Sequence, residues 1–150
     1  MRTRQKGTSK QSNLMDSHFN ATSPSDRSAV KVLVADDETH IQNVVALKLR
    51  RAGYDVIVAG DGRAAVDLAR QHRPALIVTD YHMPHLNGLE VCRTLRMDPN
   101  WATPAVLLTA QDCDLDPAAI ASGGVVEVIC KPFSPRALVA AVERHQLRAA

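Results

Sequence analysis

The sequence is poor in aromatic residues, with two Tyr, two Phe and one Trp in 150 positions. A core built from it must therefore be aliphatic. Cysteine is scarce too: Cys92, Cys113 and Cys130 lie far apart and form neither a CxxC pair nor a Cys/His cluster. That spacing argues against a disulfide framework or a structural zinc site, and makes a reducing cytoplasm the simplest compartment. No window approaches the roughly 18 apolar residues that cross a bilayer. The first residues also lack the apolar middle of a secretory signal, and no GxxxxGK[ST] segment is present to cradle a nucleotide. Excess charge is small and uneven. Residues 1–30 carry five Lys/Arg against two Asp, whereas residues 31–150 carry thirteen against fourteen Asp/Glu. The basic isoelectric point is thus a property of the leader and argues little for a nucleic-acid surface on the folded part, and without a spanning run no membrane partner is expected.

What is present suits one well-cored domain. Residues 1–29 are rich in Ser, Thr, Asn, Gln and basic side chains and have almost no aliphatic periodicity, so they read as a disordered tail ahead of a folded domain over 30–148. That domain is organised around Lys31-Val-Leu-Val-Ala-Asp36-Asp37-Glu38, an apolar run that ends abruptly in acids. A buried strand of this kind delivers carboxylates to the edge of a sheet. The same event recurs at Ala75-Leu-Ile-Val-Thr-Asp80. In an open parallel sheet both sets of acids emerge at the carboxyl ends of neighbouring strands, where such folds place their sites.

Between these runs the period changes. Ile41, Val44, Val45 and Leu49 mark one side of a helix that Gly53 can end, and Asp55–Ala59 is a short strand. Ala65, Leu68 and Ala69 stripe a second helix that Pro74 is expected to stop. After Asp80 a loop with Pro84 leads through Gly88 to a third helix with Leu89, Cys92 and Leu95 inward. Ala105–Thr109 and Val125–Cys130 read as the fourth and fifth strands, with a short Ala-rich helix between Leu115 and Ser122. Ser134 can cap a terminal helix that has Pro135 at its first position. Five strands alternating with five helices predict an α/β fold, a doubly wound five-stranded parallel sheet in a three-layer sandwich with right-handed crossovers.

Crowded, partly enclosed carboxylates repel one another, and a hard divalent cation relieves the conflict. Asp36, Asp37 and Asp80 suit Mg2+ on that ground, although strand-end acids facing solvent with no ion fit the same pattern equally well. Thr109 and Lys131 each follow an apolar strand and so can project from the same edge. Together the five describe a phosphoryl site, in which lysine and metal neutralise equatorial oxygens, threonine donates a hydrogen bond, and Asp80 is the nucleophile.

From about 31 to 147 the chain resembles the receiver domain of two-component response regulators, the CheY-like, flavodoxin-like family. The resemblance rests on Asp36-Asp37, on Asp80 followed by Met83-Pro84 and Leu86-Asn87-Gly88, on Thr109-Ala110 and Gly124, and on Lys131-Pro132-Phe133. It implies that Asp80 receives a phosphoryl group from a sensor histidine kinase or a histidine phosphotransfer protein. It also implies that Asp37, Asp80 and the backbone carbonyl of His82 contact Mg2+, or Mn2+ in its place, with Asp36 acting through water. Such receivers catalyse their own phosphorylation and the later hydrolysis of the acyl phosphate.

Some positions depart from the family pattern. Val128 stands where an aromatic residue usually accompanies switching, and Val125, Val126 and Glu127 replace small and polar residues. Val126 and Val128 are expected in the core; exposed, they would form an apolar contact surface. His82 and Gln111 border the phosphoryl position in the family and can modulate hydrolysis, although a solvent-facing imidazole is the plainer expectation for His82. Output is expected through the face of the fourth helix, fifth strand and fifth helix, with the chain a monomer or weak dimer. The rival readings are a pseudo-receiver that binds partners without phosphorylation, and a receiver cut from a larger regulator. A haloacid-dehalogenase-like phosphatase is disfavoured, because Asp80-Tyr81-His82 lacks the second acid of Asp-x-Asp.

Overall fold

The computed structural model describes residues 30–110 and 114–149. The tail expected over 1–29 and the modulatory position Gln111 lie outside the described residues.

Five apolar runs form five parallel strands: β1 (Lys31–Ala35), β2 (Asp55–Ala59), β3 (Leu76–Asp80), β4 (Ala105–Thr109) and β5 (Val125–Cys130). The helices are α1 (Thr39–Arg51), α2 (Gly62–His72), α3 (Gly88–Leu95), α4 (Pro117–Ser122) and α5 (Pro135–Ala149). Strand order is β2-β1-β3-β4-β5, so the winding direction reverses between β1 and β3. The doubly wound sandwich expected from the sequence is the fold observed. Reversal leaves a crevice at the carboxyl ends of β1 and β3, where neighbouring connections part to opposite faces.

Each face of the sheet buries its own aliphatic cluster. Val32, Val34, Leu76, Val78, Val106 and Leu108 pack with Val45 and Leu49 of α1 and Leu138 and Val142 of α5. Leu33, Ile77 and Ala105 face the other way, toward Ala65 and Ala69 of α2 and Val91, Cys92 and Leu95 of α3. Both faces of β3 and β4 are covered, which is why these strands read as unbroken apolar runs. Trp101 is buried and lies under the Arg73 guanidinium at 5.4 Å.

Helix boundaries follow local chemistry. Asp61 caps α2 by accepting from the Ala64 N–H at 2.8 Å, and Ser134 accepts from Ala137 N–H at 3.0 Å ahead of α5. Asn87 and Glu90 close a reciprocal capping box on α3. Arg73, in the left-handed conformation at φ 50°, terminates α2 one residue before the proline expected to stop it.

One expectation is corrected. Val126 and Val128 are 47% and 37% exposed rather than in the core. β5 is the outer strand, α4 is only six residues long and buries none of them, and the register shifts between Ala105 and Val106. The shift skips Val126, after which Glu127 and Ile129 face α5 while Val128 and Cys130 face outward.

Candidate functional site

The strands bring the five residues singled out in the sequence to one edge. Asp36 leaves β1 with its N–H bonded to Ala59 O at 3.1 Å and its Oδ1 accepting from Glu38 N–H at 2.9 Å. Gln42, from the first turn of α1, donates to both Asp36 O and Ala59 O at 3.1 Å and so ties the helix start to two strand ends. Asp80 ends β3 and Thr109 ends β4, both buried. Lys131 follows β5 and is aligned by its N–H to Thr109 O at 2.7 Å.

Lys131 Nζ reaches into the acids. It lies 3.1 Å from Asp80 Oδ1, 3.4 Å from Glu38 Oε1 and 3.8 Å from Asp36 Oδ2. One oxygen each of Asp36, Asp37 and Asp80 fall within 4.8 Å of one another, Asp37 being the exposed member. Burial, then the Asp80 charge, pushes the Asp36 carboxyl up to about 6 against the pull of the Glu38 N–H and Lys131. Burial also raises Asp80, with the Lys131 hydrogen bond and charge opposing it. For Lys131, burial acts to lower the pKa, but the hydrogen bond to Asp80 and the charges of Asp36 and Asp80 outweigh it and the net direction is up. One ammonium therefore balances only part of the negative charge.

Two buried side-chain polar atoms among the described residues have no hydrogen-bond partner: Asp36 Oδ2 and Thr109 Oγ1. Both lie in this site. Buried polar atoms are ordinarily satisfied, so an acceptor oxygen and a hydroxyl left over beside three carboxylates fit a cation and an anionic group. The oxygen-only donor set suits a hard ion such as Mg2+.

The loop after Asp80 is held closely. Tyr81 N–H bonds Leu108 O at 2.8 Å, and Gly88 N–H bonds Tyr81 O at 2.8 Å. His85 takes φ 73° in a γ-turn closed by Leu86 N–H to Pro84 O at 2.9 Å, a strained conformation for a residue with a side chain. Gly62 N–H meets Pro84 O at 3.2 Å, and a Cβ at Gly62 or Gly88 would collide with Leu86 or with Asp80 O respectively. His82 is exposed, its ring edge-on to Tyr81 with centroids 4.8 Å apart. Val128 pairs with Leu107 and points outward.

Sequence reasoning missed Glu38 as a second acid on Lys131, and Gln42 and Gly62 as supports. The capping box was legible in Asn87-x-x-Glu90; the bridge from Gln42 depends on β2 lying beside β1.

The model for the response regulator receiver domain matches residues 32–143. The Francisella response regulator 1452 receiver domain is 33% identical, with 81% of this chain and 99% of that chain covered, at a TM-score of 0.73. The chemotaxis response regulator CheY4 of Vibrio cholerae is also 33% identical over 77% of this chain and 97% of that one, at a TM-score of 0.70. A CheY-like receiver domain protein from Methanospirillum hungatei, 20% identical at a TM-score of 0.73, shares the fold.

Proposed function

The chain belongs to the response regulator receiver domain family, and from that premise we propose that Asp80 is the carboxylate that accepts the phosphoryl group. A receiver takes a phosphoryl group onto an aspartate and catalyses both the transfer and the later hydrolysis. The protein is thus a switch with modest catalytic activity rather than a metabolic enzyme. The carrying observation is the pair of orphaned buried atoms, Asp36 Oδ2 and Thr109 Oγ1, on either side of Asp80.

In this reading Asp80 attacks phosphorus; the donor's N–P bond breaks as the O–P bond forms, and the donor imidazole leaves. Lys131, already on Asp80 Oδ1, moves its charge to a phosphoryl oxygen, and Thr109 donates its free hydroxyl to another. In hydrolysis, water attacks phosphorus and the Asp80 carboxylate departs. Asp36, Asp37, Asp80 and the His82 carbonyl would hold Mg2+, with Mn2+ as a substitute. Bound there, the ion supplies positive charge against the phosphoryl oxygens. His82, exposed two residues after Asp80, is a candidate to tune the approach of water.

The donor is a sensor histidine kinase or a histidine phosphotransfer protein. An apolar depression of about 470 Å³ beside Lys131, lined by Ile41, Val44, Ala110 and Phe133 among others, offers such a protein a place to dock. Residues 30–148 are taken as the receiver unit. Output runs through the α4-β5-α5 face, where Val126 and Val128 are exposed. The cytoplasm is the compartment that suits these partners; among the described residues no helix is long and apolar enough to cross a membrane.

Intact-mass analysis after incubation with a small phosphodonor, and separately with a promiscuous histidine kinase, tests this. One Mg2+-dependent phosphoryl adduct is expected in the wild type and none in Asp80→Asn. An adduct that persists in the folded variant would move the site to another residue.

A further inference from the structure

The folded part is nearly neutral in sum but strongly polar in arrangement. All strands run parallel and each helix returns against them, so every helix ends at the sheet edge opposite the aspartates. That edge collects bases: Lys48 and Arg51 in the last turn of α1, Arg70 in that of α2, and Arg93 and Arg96 at the end of α3. All five are exposed. The opposite edge gathers Asp36, Asp37, Glu38, Asp61 and Asp80. A base near a helix carboxyl end offsets the helix dipole, but one per helix serves that purpose, and α1 alone carries three in its last turn. Asp55, Asp98 and Glu143 share the basic edge, Asp98 beside Arg73 at 3.8 Å and Glu143 in a depression with Lys48 and Arg51, so the bases remain in excess.

Two further observations select the partner. Met97 follows Arg96 just past the end of α3 at 81% exposure, so an apolar side chain stands beside the bases. The leader, with five Lys/Arg against two Asp, joins the fold at Val30, on this same edge. We propose that the basic edge rests on an anionic bilayer surface. Lipid phosphates and carboxylates meet the exposed bases, while Met97 enters the headgroup boundary. A broad edge spanning both helical layers matches a flat surface. Among the described residues no helix or strand projects from it to enter a nucleic-acid groove, and a phosphate backbone offers Met97 nothing. Docked this way, the protein keeps Asp80 on the side away from lipid. The proposal departs from the sequence expectation of no membrane partner, which rested on the lack of an apolar run that could cross a bilayer, and it is independent of the phosphoryl chemistry.

The test is co-sedimentation of the full chain with phosphatidylserine-containing and pure phosphatidylcholine vesicles across a salt series. Salt-sensitive binding to the anionic vesicles alone is expected. Arg70→Glu/Arg93→Glu should weaken it by about 25-fold or more, roughly fivefold for each base lost. Met97→Ser should weaken it further at constant charge. An unchanged far-UV circular dichroism spectrum and urea midpoint verify the fold of each variant, and Lys48→Gln/Arg51→Gln replaces the first pair if that pair does not fold. Three outcomes would overturn the proposal: no binding at low salt, binding unaffected by the edge variants, or tighter binding to a random DNA duplex than to the vesicles at equal ionic strength.

Discussion

β3 and β5 end at the same edge and each hands a residue to the site, yet they are built differently. All five residues of β3 are buried, whereas β5 alternates between half-buried and exposed along its whole length. Asp80, which must be held in place for attack, hangs from the strand covered on both faces. Lys131, which must change partners, hangs from the edge strand. Positional precision is placed where packing is densest, and adaptability where the surface is open.

The comparison can be broken most forcefully by truncating one side chain on each strand. Leu76→Ala on β3 should lower unfolding stability by about 2–5 kcal/mol, and Val128→Ala on β5 by less than about 0.5 kcal/mol, both read from urea midpoints. Equal losses would mean that β5 is packed as tightly as β3.

A smaller effect of opposite sign is expected at the site. Asp36→Asn keeps an acceptor for the Glu38 N–H but removes a buried charge, and in chelator at neutral pH it should raise stability by about 1 kcal/mol. A lower melting temperature for the variant would count against unrelieved repulsion among the acids.

The pH dependence should separate β5 from the acids at the covered strand ends, here Asp36 after β1. Burial pushes the Asp36 carboxyl up to about 6, above the free carboxyl value of 3.8, so its charge destabilises the fold above pH 6. Apo protein should therefore gain stability as pH falls through 6 toward 4, and Asp36→Asn should lose that gain. Glu127 on β5 behaves oppositely. Hydrogen bonds from Arg144 at 2.8 Å and from His145 at 2.6 Å hold its carboxyl below the free glutamate value of 4.5. Its contribution is present above 4.5 and fades as pH falls through the folded value, a small loss that Glu127→Gln should remove. Parallel pH profiles for wild type and both variants would show that neither carboxylate is linked to folding as described.

The five strands were legible because a buried parallel strand must be apolar throughout, and the acids after β1 and β3 stand out where such runs stop. The exposure of Val126 and Val128 was not legible. Val125-Val-Glu-Val-Ile reads much like the interior runs, and only its place at the end of the strand order, beside a short α4, leaves it open. Glu38 and Gln42 were hidden for a related reason: their partners, Lys131 and Ala59, are distant in sequence and meet them only through strand pairing.

By itself the sequence determined the element order, the fold class and the identity of the five residues at the site, because these follow from local periodicity and from where apolar runs end. Tertiary structure alone decided which polar atoms are left without partners, which strand lies at the edge, and how a nearly neutral chain divides into an acidic end and a basic one. Those properties depend on distances across the sheet and on the common direction of its helices, which composition averages away.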